Sequence, residues 1–287
     1  MFQEYKRLLR SRASYILLIL CVVGFVSIYM SFTEKMMFLN QLQYSNSEDL
    51  NKAALTNLIN NYTWIKCMFN FWFESDFAQI YMIVLYLWSG LFLSSNLLRH
   101  KENGFGNIVC TRSSYRKHAL SQVMAQTLYI VTMITVSTVL LCLIAFFFCG
   151  SGHSYVALGT YSLSSMQALL VILIQIILIS LYTSLINCIA AMSCTFIRNR
   201  FCIQALPFLF AFMPMLLSST VGNLSSTFAT IIVYFDPYNV CTSLSNIVHS
   251  SMDIRMIVYN MIPIACFALL ATLFSTVNIV KDGKNYI

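Results

Sequence analysis

The chain has 287 residues, of which 59% are hydrophobic and only 9% are charged, and its formal net charge is +7. A soluble domain carries about 25% charged residues, so this composition excludes an ordinary soluble protein and predicts that most of the surface faces lipid. The net positive charge does not require a nucleic-acid partner, because the charges are sorted by sign along the chain.

Long uncharged stretches dominate the sequence and contain no Asp, Glu, Lys or Arg: 13–33, 77–98, 119–197, 201–235 and 256–280. A helix of about 20 apolar residues crosses the hydrocarbon core, and a charge at its centre costs about 2.5–3.5 kcal/mol. Because the longest stretch divides at Gly152 and His153, the sequence predicts an all-α integral membrane protein with six transmembrane helices in one domain. The predicted spans are 13–33, 77–98, 119–149, 162–196, 201–220 and 256–280.

The segment before the first predicted span is amphipathic. Its apolar residues recur at helical spacing: Phe2, Tyr5, Leu8 and Leu9. Its basic residues take the other side: Lys6, Arg7, Arg10 and Arg12. This pattern predicts a short N-terminal helix in the membrane interface. A basic flank that only orients the first span is the alternative.

The segment 34–76, between the first two predicted spans, is aromatic in its second half. The aromatic residues are Tyr62, Trp64, Phe69, Phe71, Trp72 and Phe73. Aromatic side chains favour the membrane interface, which predicts a belt that anchors this segment on the outer leaflet. A lip that contacts a hydrophobic cargo is the alternative.

Two features mark the later spans. One face of the predicted fourth span carries small and polar residues: Ser180, Ser184, Asn187 and Ala191. Such a stripe indicates close helix packing, with a substrate path as the alternative. Pro207 and Pro214 predict kinks in the fifth span. The uncharged segment 221–235 follows it and is expected to dip back into the outer leaflet.

Charge fixes the orientation that we expect. With six spans, the segments 1–12, 99–118, 198–200 and 281–287 share one side of the membrane and hold 13 Lys or Arg and three acidic residues. The opposite segments hold four basic and seven acidic residues. Basic segments stay in the cytoplasm, so the sequence predicts a multi-pass protein of a bacterial cell membrane with both termini cytoplasmic.

The ten cysteines include no C-x-x-C pair. Only Cys67 and Cys241 fall in predicted outer segments, which leaves a disulfide between them open, since spacing says nothing about distance. Cys110 is predicted to be cytoplasmic. The others, Cys149 among them, lie within or at the ends of predicted spans, where cysteine acts as a small apolar residue.

Several kinds of chemistry are missing from the sequence. It has no G-x-x-x-x-G-K-[ST] motif for phosphate binding, and its predicted spans contain no His, Asp, Glu, Lys or Arg. Intramembrane hydrolases, acyltransferases and ion-driven transporters use such groups. The four histidines are scattered singly and are poor ligand candidates. We therefore expect no enzyme and no metal site, and energy for any transport must come from a partner chain.

The loop between the second and third predicted spans carries the strongest functional signal. It turns at Gly104 and re-enters the membrane after a capping serine. Its apolar residues would fit a groove on a soluble partner: Phe105, Ile108 and Val109. Its basic residues would meet acidic groups or lipid phosphates: Arg112, Arg116 and Lys117. A solvated basic turn that only enforces topology is the alternative.

This loop, with Glu102 and Gly104 at its start and Arg112-Ser113-Ser114 before the third span, resembles the first cytoplasmic loop of ABC-2 type transporter permeases. The layout is similar as well: an interfacial helix, six spans and a membrane-dipping outer segment between the last two. The sequence departs from many members at Ser121-Gln122, where they have Gly-Lys.

The resemblance implies the membrane subunit of an ABC exporter. Its loop would form a coupling helix on an ATP-binding subunit, through Glu102, Gly104, Phe105, Ile108, Val109, Arg112, Arg116 and Lys117. ATP and Mg would bind the partner, with no cofactor in this chain. A second permease copy or paralogue and membrane lipid are the other expected partners. The expected cargo is a hydrophobic or amphipathic peptide or a lipid-like compound. A non-transporting scaffold, sensor or immunity protein is the alternative.

Overall fold

The computed structural model describes residues 2–44, 56, 59–60, 63–104, 114–150, 155–158, 161–221, 232, 235–236, 238–239 and 254–283. These residues are mainly helical. The helices are α1 Phe2–Leu9, α2 Ile16–Tyr44, α3 Trp64–Phe69, α4 Asp76–Ser89, α5 Asn96–Glu102, α6 Tyr115–Cys149, α7 Ser165–Met192, α8 Arg200–Val221 and α9 Ile254–Gly283. Short 3₁₀ turns cover Arg12–Tyr15 and Ser193–Thr195, and π-helical turns cover Asn70–Glu74 and Gly90–Ser94.

Five helical stretches among the described residues are long and apolar enough to cross a membrane. They are Arg12–Gln43, Asp76–Glu102, Tyr115–Cys149, Leu169–Thr195 and Met261–Lys281. A shorter apolar helix covers Arg200–Pro214. The prediction of a multi-pass helical membrane protein is confirmed to this extent.

Some element boundaries differ from the predicted spans. Helix α2 continues to Tyr44, beyond Glu34 and Lys35, because a charged residue ends a membrane span without ending a helix. Residues 162–164, predicted as the start of a span, lie instead in a strand. Strand β1, Tyr155–Leu158, pairs antiparallel with β2, Tyr161–Ser164. The Tyr and Val residues of these strands favour extended structure, and the hairpin was not predicted from the sequence.

The chain forms two compact units. The loop unit contains Met1–Ile16, Met82–Ile134 and Ile177–Ile287. The aromatic unit contains Leu17–Tyr81 and Thr135–Ile176.

The aromatic unit has a core of rings. Phe69, Phe71 and Trp72 are fully buried, and the Trp72 ring meets the Tyr81 ring edge-on at a centroid distance of 5.2 Å. The Tyr81 hydroxyl is 2.6 Å from Ser137 Oγ. The expected belt and the expected lip both placed these rings on the surface. The structure buries Phe69, Phe71, Trp72 and Phe73 and leaves Trp64 half-buried, whereas Tyr62 lies outside the described residues.

Candidate functional site at the charged loop

We refer to residues 103–114, between α5 and α6, as the charged loop. Helix α5 ends at the start of this loop with a glycine cap. Glu102 is its last residue and is exposed. The Gly104 N–H donates to the Lys101 carbonyl at 3.2 Å, and Gly104 has a φ of +66°. A side chain is strained in this left-handed region, although a Cβ at Gly104 would meet no atom within 4 Å. Backbone conformation therefore requires glycine here.

Helix α6 begins on the other side of the loop. Arg116 and Lys117 are its second and third residues, and both are exposed. The N-terminus of a helix carries partial positive charge, so a cation there is unfavourable by about 0.3–1 kcal/mol. These two charges therefore do not stabilise α6 through its dipole. The remaining predicted site residues, Phe105, Ile108, Val109 and Arg112, lie outside the described residues.

A buried cluster closes the base of the loop. Its members come from α5, α6, α8 and the end of α7: Leu97, Leu98, Tyr115, Ala119, Met192, Cys194 and Ile203. We refer to these residues as the loop-base cluster. Leu97 and Leu98 belong to α5 and Tyr115 is the first residue of α6, so the helices on both sides of the loop contribute to one buried cluster.

Asn278 of α9 ties the loop-base cluster together with hydrogen bonds. Its Oδ1 accepts from the Tyr115 hydroxyl at 2.9 Å, and its Nδ2 donates to Thr195 Oγ1 at 2.6 Å and to the Met192 carbonyl at 3.1 Å. Asn278 is fully buried. A buried amide is stable only when its hydrogen bonds are satisfied, and here these bonds connect α6, α9 and the end of α7.

Two histidines meet at the ends of the loop. His100 Nδ1 of α5 lies 3.5 Å from His118 Nε2 of α6, and the rings are nearly parallel, with centroids 5.5 Å apart. The expectation that these residues are scattered singly was wrong. The available signal was that both residues lie close to the helix ends that flank the same loop. Within the described residues no group of three or more His, Cys, Asp or Glu could hold a metal ion.

Polar contacts join the N-terminal residues of the loop unit to α4 and α6. The Tyr5 hydroxyl is 3.0 Å from Thr132 Oγ1, and Ser14 Oγ is 2.9 Å from the Tyr129 hydroxyl. The Trp88 indole N–H donates to the Ala13 carbonyl at 2.8 Å. The amphipathic helix α1 is therefore anchored to α6 through Tyr5.

A π-helical turn, Gly90–Ser94, interrupts the regular helical backbone between α4 and α5. In the π-helical turn Gly90–Ser94, the Leu91 carbonyl accepts from Gln204 Nε2 at 2.9 Å, and the Leu93 carbonyl accepts from Gln126 Nε2 at 3.0 Å. Backbone groups in a membrane must be satisfied by protein. The glutamines of α8 and α6 do this for carbonyls that the widened turn leaves available.

Helix α8 has a matching irregularity opposite that turn. Pro207 has no N–H to donate to the Ile203 carbonyl one helical turn earlier, and Ser94 Oγ donates to that carbonyl at 3.2 Å instead. A Cβ on Gly90 would overlap the Gln204 carbonyl oxygen, so only glycine permits this approach. The polar stripe on α7 contributes similarly: Asn187 Nδ2 donates to Gln126 Oε1 at 2.9 Å, as the packing interpretation expects.

An apolar cavity of about 600 Å³ lies beside α8 and α9 in the loop unit. Among the described residues, the side chains that line it are apolar: Leu206, Leu209, Phe210, Met213, Pro214, Leu217, Ile232, Phe235, Cys266, Phe267 and Leu270. A cavity with this lining favours a hydrocarbon or aromatic group and disfavours a charged one.

Comparison with protein-family models, with curated proteins and with solved structures finds no match for this chain.

Proposed function

We propose that this chain is the permease subunit of an ATP-driven exporter of the ABC-2 type, with the charged loop as the contact for a separate ATP-binding subunit. One observation carries the proposal. The two ends of a basic loop enter a single buried, hydrogen-bonded cluster that includes residues of α5, α6, α8 and the end of α7 and is bonded to α9. Such an arrangement suits a loop on which a soluble partner in the cytoplasm exerts force.

The proposed topology has six spans, with α8 as the fifth in chain order. Helix α8 has 22 residues, and at about 1.5 Å per residue it is long enough for a hydrocarbon core of about 30 Å. Both termini and the charged loop then face the cytoplasm, in keeping with the distribution of basic residues. Helix α1 lies in the interface, where its exposed Phe2 would enter lipid.

The proposed mechanism uses ATP-driven closure of the partner subunits. Closure presses on the loop, and the loop-base cluster passes the displacement to the helices of the loop unit, shifting the balance between inward-facing and outward-facing states. The displacement would pass through the π-helical turn Gly90–Ser94 and through the proline-interrupted helix α8. In both places, side chains already donate hydrogen bonds to backbone carbonyls. ATP and Mg stay on the partner, and a second copy or paralogue of this chain completes the pathway.

The apolar cavity supports a hydrophobic or amphipathic cargo, either a peptide or a lipid-like compound. Its lining contains no Asp, Glu, Lys, Arg or His among the described residues that form it. A cargo with an exposed apolar segment would gain about 25 cal/mol for each Å² of that surface removed from water.

The first test is purification of the tagged protein from membranes in mild detergent. A P-loop ATPase is expected to co-purify in stoichiometric amount and to be lost when the loop carries Phe105→Glu. Recovery of the protein alone at every detergent strength would overturn the proposal and favour a scaffold, sensor or immunity protein.

A matched pair of glycine variants then tests coupling. Gly104 and Gly150 have φ values of +66° and +76°, and a Cβ at either would meet no atom within 4 Å. Alanine therefore costs similar backbone strain at both, about 1 kcal/mol. We expect Gly104→Ala to lower ATP turnover of the purified complex and Gly150→Ala to leave it unchanged. Equal turnover in the two variants would rule out a coupling role for the loop.

A further inference from the structure

Two cysteines of the aromatic unit lie in contact. Cys67 belongs to α3, and Cys149 is the last residue of α6. Their sulfur atoms are 2.8 Å apart, which is closer than the van der Waals contact of two unbonded sulfur atoms. The disulfide left open by the sequence was Cys67 with Cys241, which lies outside the described residues, because Cys149 was assigned to the end of a predicted span.

The contact is fixed by the bonds around it. The Trp64 N–H at the start of α3 donates to the Gly150 carbonyl at 3.3 Å, and Lys35 Nζ donates to the Cys149 carbonyl at 2.7 Å. The side chain of Thr63 caps α3 by accepting from the Lys66 N–H. These bonds hold the backbone at the start of α3 next to the backbone at the end of α6, which keeps the two cysteines close together.

Burial isolates the pair from other partners. Cys67 is fully buried and Cys149 is 5% exposed. A thiol reagent in solution would reach neither sulfur readily once the protein has folded. A bond between the two sulfurs would therefore form during folding, before the site closes, and would afterwards be shielded from reductants.

We propose that Cys67 and Cys149 form an intrachain disulfide bond. In the orientation proposed above, this end of α6 faces the outside of the cell, where disulfides persist. The bond would join α3 to the end of α6 and close a loop of the chain between them. The inference does not depend on ATP-driven transport, because it needs only the sulfur contact and an oxidising side of the membrane.

The oxidant is the disulfide of a thiol-oxidising carrier protein. One cysteine thiolate attacks a carrier sulfur, which breaks the carrier S–S bond and gives a mixed disulfide. The second thiolate of this chain attacks the mixed disulfide, forms the Cys67–Cys149 bond and releases the carrier. Two electrons pass to the carrier, and the two protons lost by the cysteines are balanced by those that its two sulfurs take up.

The test counts oxidised cysteines in the whole protein. Cells are quenched in acid, free thiols are blocked with N-ethylmaleimide under denaturing conditions, and the protein is then reduced and labelled with maleimide-polyethylene glycol. Two of the ten cysteines should be labelled in the wild-type protein, and none in Cys67→Ser or Cys149→Ser. Cys142→Ser, in the same helix as Cys149, is the control and should keep both labels.

Peptide mapping without reduction identifies the pair. A peptide linking Cys67 to Cys149 is the expected result. An unlabelled wild-type protein, or a peptide linking Cys67 to Cys241, would overturn the proposal.

Thermal melting gives a second readout. Cys67→Ser, Cys149→Ser and the double variant should melt at the same lowered temperature, because each removes one shared bond. Single losses that add in the double variant would contradict the bond.

Discussion

The two ends of helix α6 differ in chemistry. At Tyr115, the neighbours are an amide, hydroxyls and backbone carbonyls joined by hydrogen bonds. At Cys149, they are sulfur and rings: Phe148 lies edge-on to Phe25 and Phe32, at centroid distances of 5.8 and 5.3 Å. The Tyr115 end combines these hydrogen bonds with apolar packing in the loop-base cluster. The Cys149 end is held by rings, by the Cys67 sulfur and by a hydrogen bond from Lys35 to the Cys149 carbonyl.

We expect the largest difference in stability between the two units when a glycine within a helical segment of each is replaced by alanine. A Cβ on Gly90 of the loop unit would overlap the backbone carbonyl of Gln204, whereas one on Gly24 of the aromatic unit would overlap only the Leu141 side chain. A side chain can rotate away, but the α8 backbone must shift. We expect Gly90→Ala to destabilise the protein by about 2–3 kcal/mol and Gly24→Ala to be near neutral, because alanine also favours a helix by about 1 kcal/mol.

Thermal melting of the detergent-solubilised protein measures this difference. Equal melting temperatures for Gly90→Ala and Gly24→Ala would show that α8 yields as easily as a leucine side chain. The backbone irregularities at Gly90 and Pro207 would then be soft, and they could not carry a displacement from the loop.

A smaller effect comes from Asp236, a buried carboxylate in the loop unit. Burial raises the pKa of Asp236 from 3.8 to about 6, although the Tyr238 N–H and the Asn239 amide donate to it. The folded state therefore holds the proton more tightly than the unfolded state does. The contribution of Asp236 to stability is fully present below pH 3.8 and is lost as the pH rises through 6, an effect on the order of 2 kcal/mol.

Asp236→Asn should remove this dependence. The melting temperature of the wild-type protein should fall relative to that of the variant as the pH rises from about 4 to about 7. A constant difference between the two proteins over this range would mean that Asp236 titrates alike in both states.

The same substitution, tyrosine to phenylalanine, removes a buried hydroxyl in each of the two units. Tyr115→Phe removes the hydroxyl that donates to Asn278 in the loop unit, and Tyr81→Phe removes the one bonded to Ser137 in the aromatic unit. Both rings are buried, so each variant should lose about 1 kcal/mol of stability. We expect only Tyr115→Phe to lower ATP turnover of the complex. Equal turnover losses would attribute both effects to stability alone.

The sequence predicted the parts of the fold that follow from charge and hydrophobicity. The uncharged stretches correctly located the long apolar helices, because the bilayer penalises charge regardless of tertiary structure. The loop-base cluster could not be predicted in this way, since Tyr115 and Asn278 are 163 residues apart and either could face lipid. The Cys67–Cys149 contact was missed for a related reason: membership of a span was taken to settle the role of Cys149.

The smallest expected effect separates charge that stabilises a helix from charge that binds a partner. Lys117 lies in the first turn of α6, whereas Lys101 lies in the last turn of α5, 5.9 Å from the centre of the Tyr115 ring. Replacing either with Gln removes one positive charge beside the loop. Because of the helix dipoles, Lys117→Gln should stabilise the protein by a few tenths of a kcal/mol and Lys101→Gln should destabilise it by a similar amount. Both should weaken binding of the ATP-binding subunit at low salt, and the loss should shrink as salt screens the charge. If Lys117→Gln stabilised the chain without weakening the complex, the basic residues of the loop would serve only to orient it in the membrane.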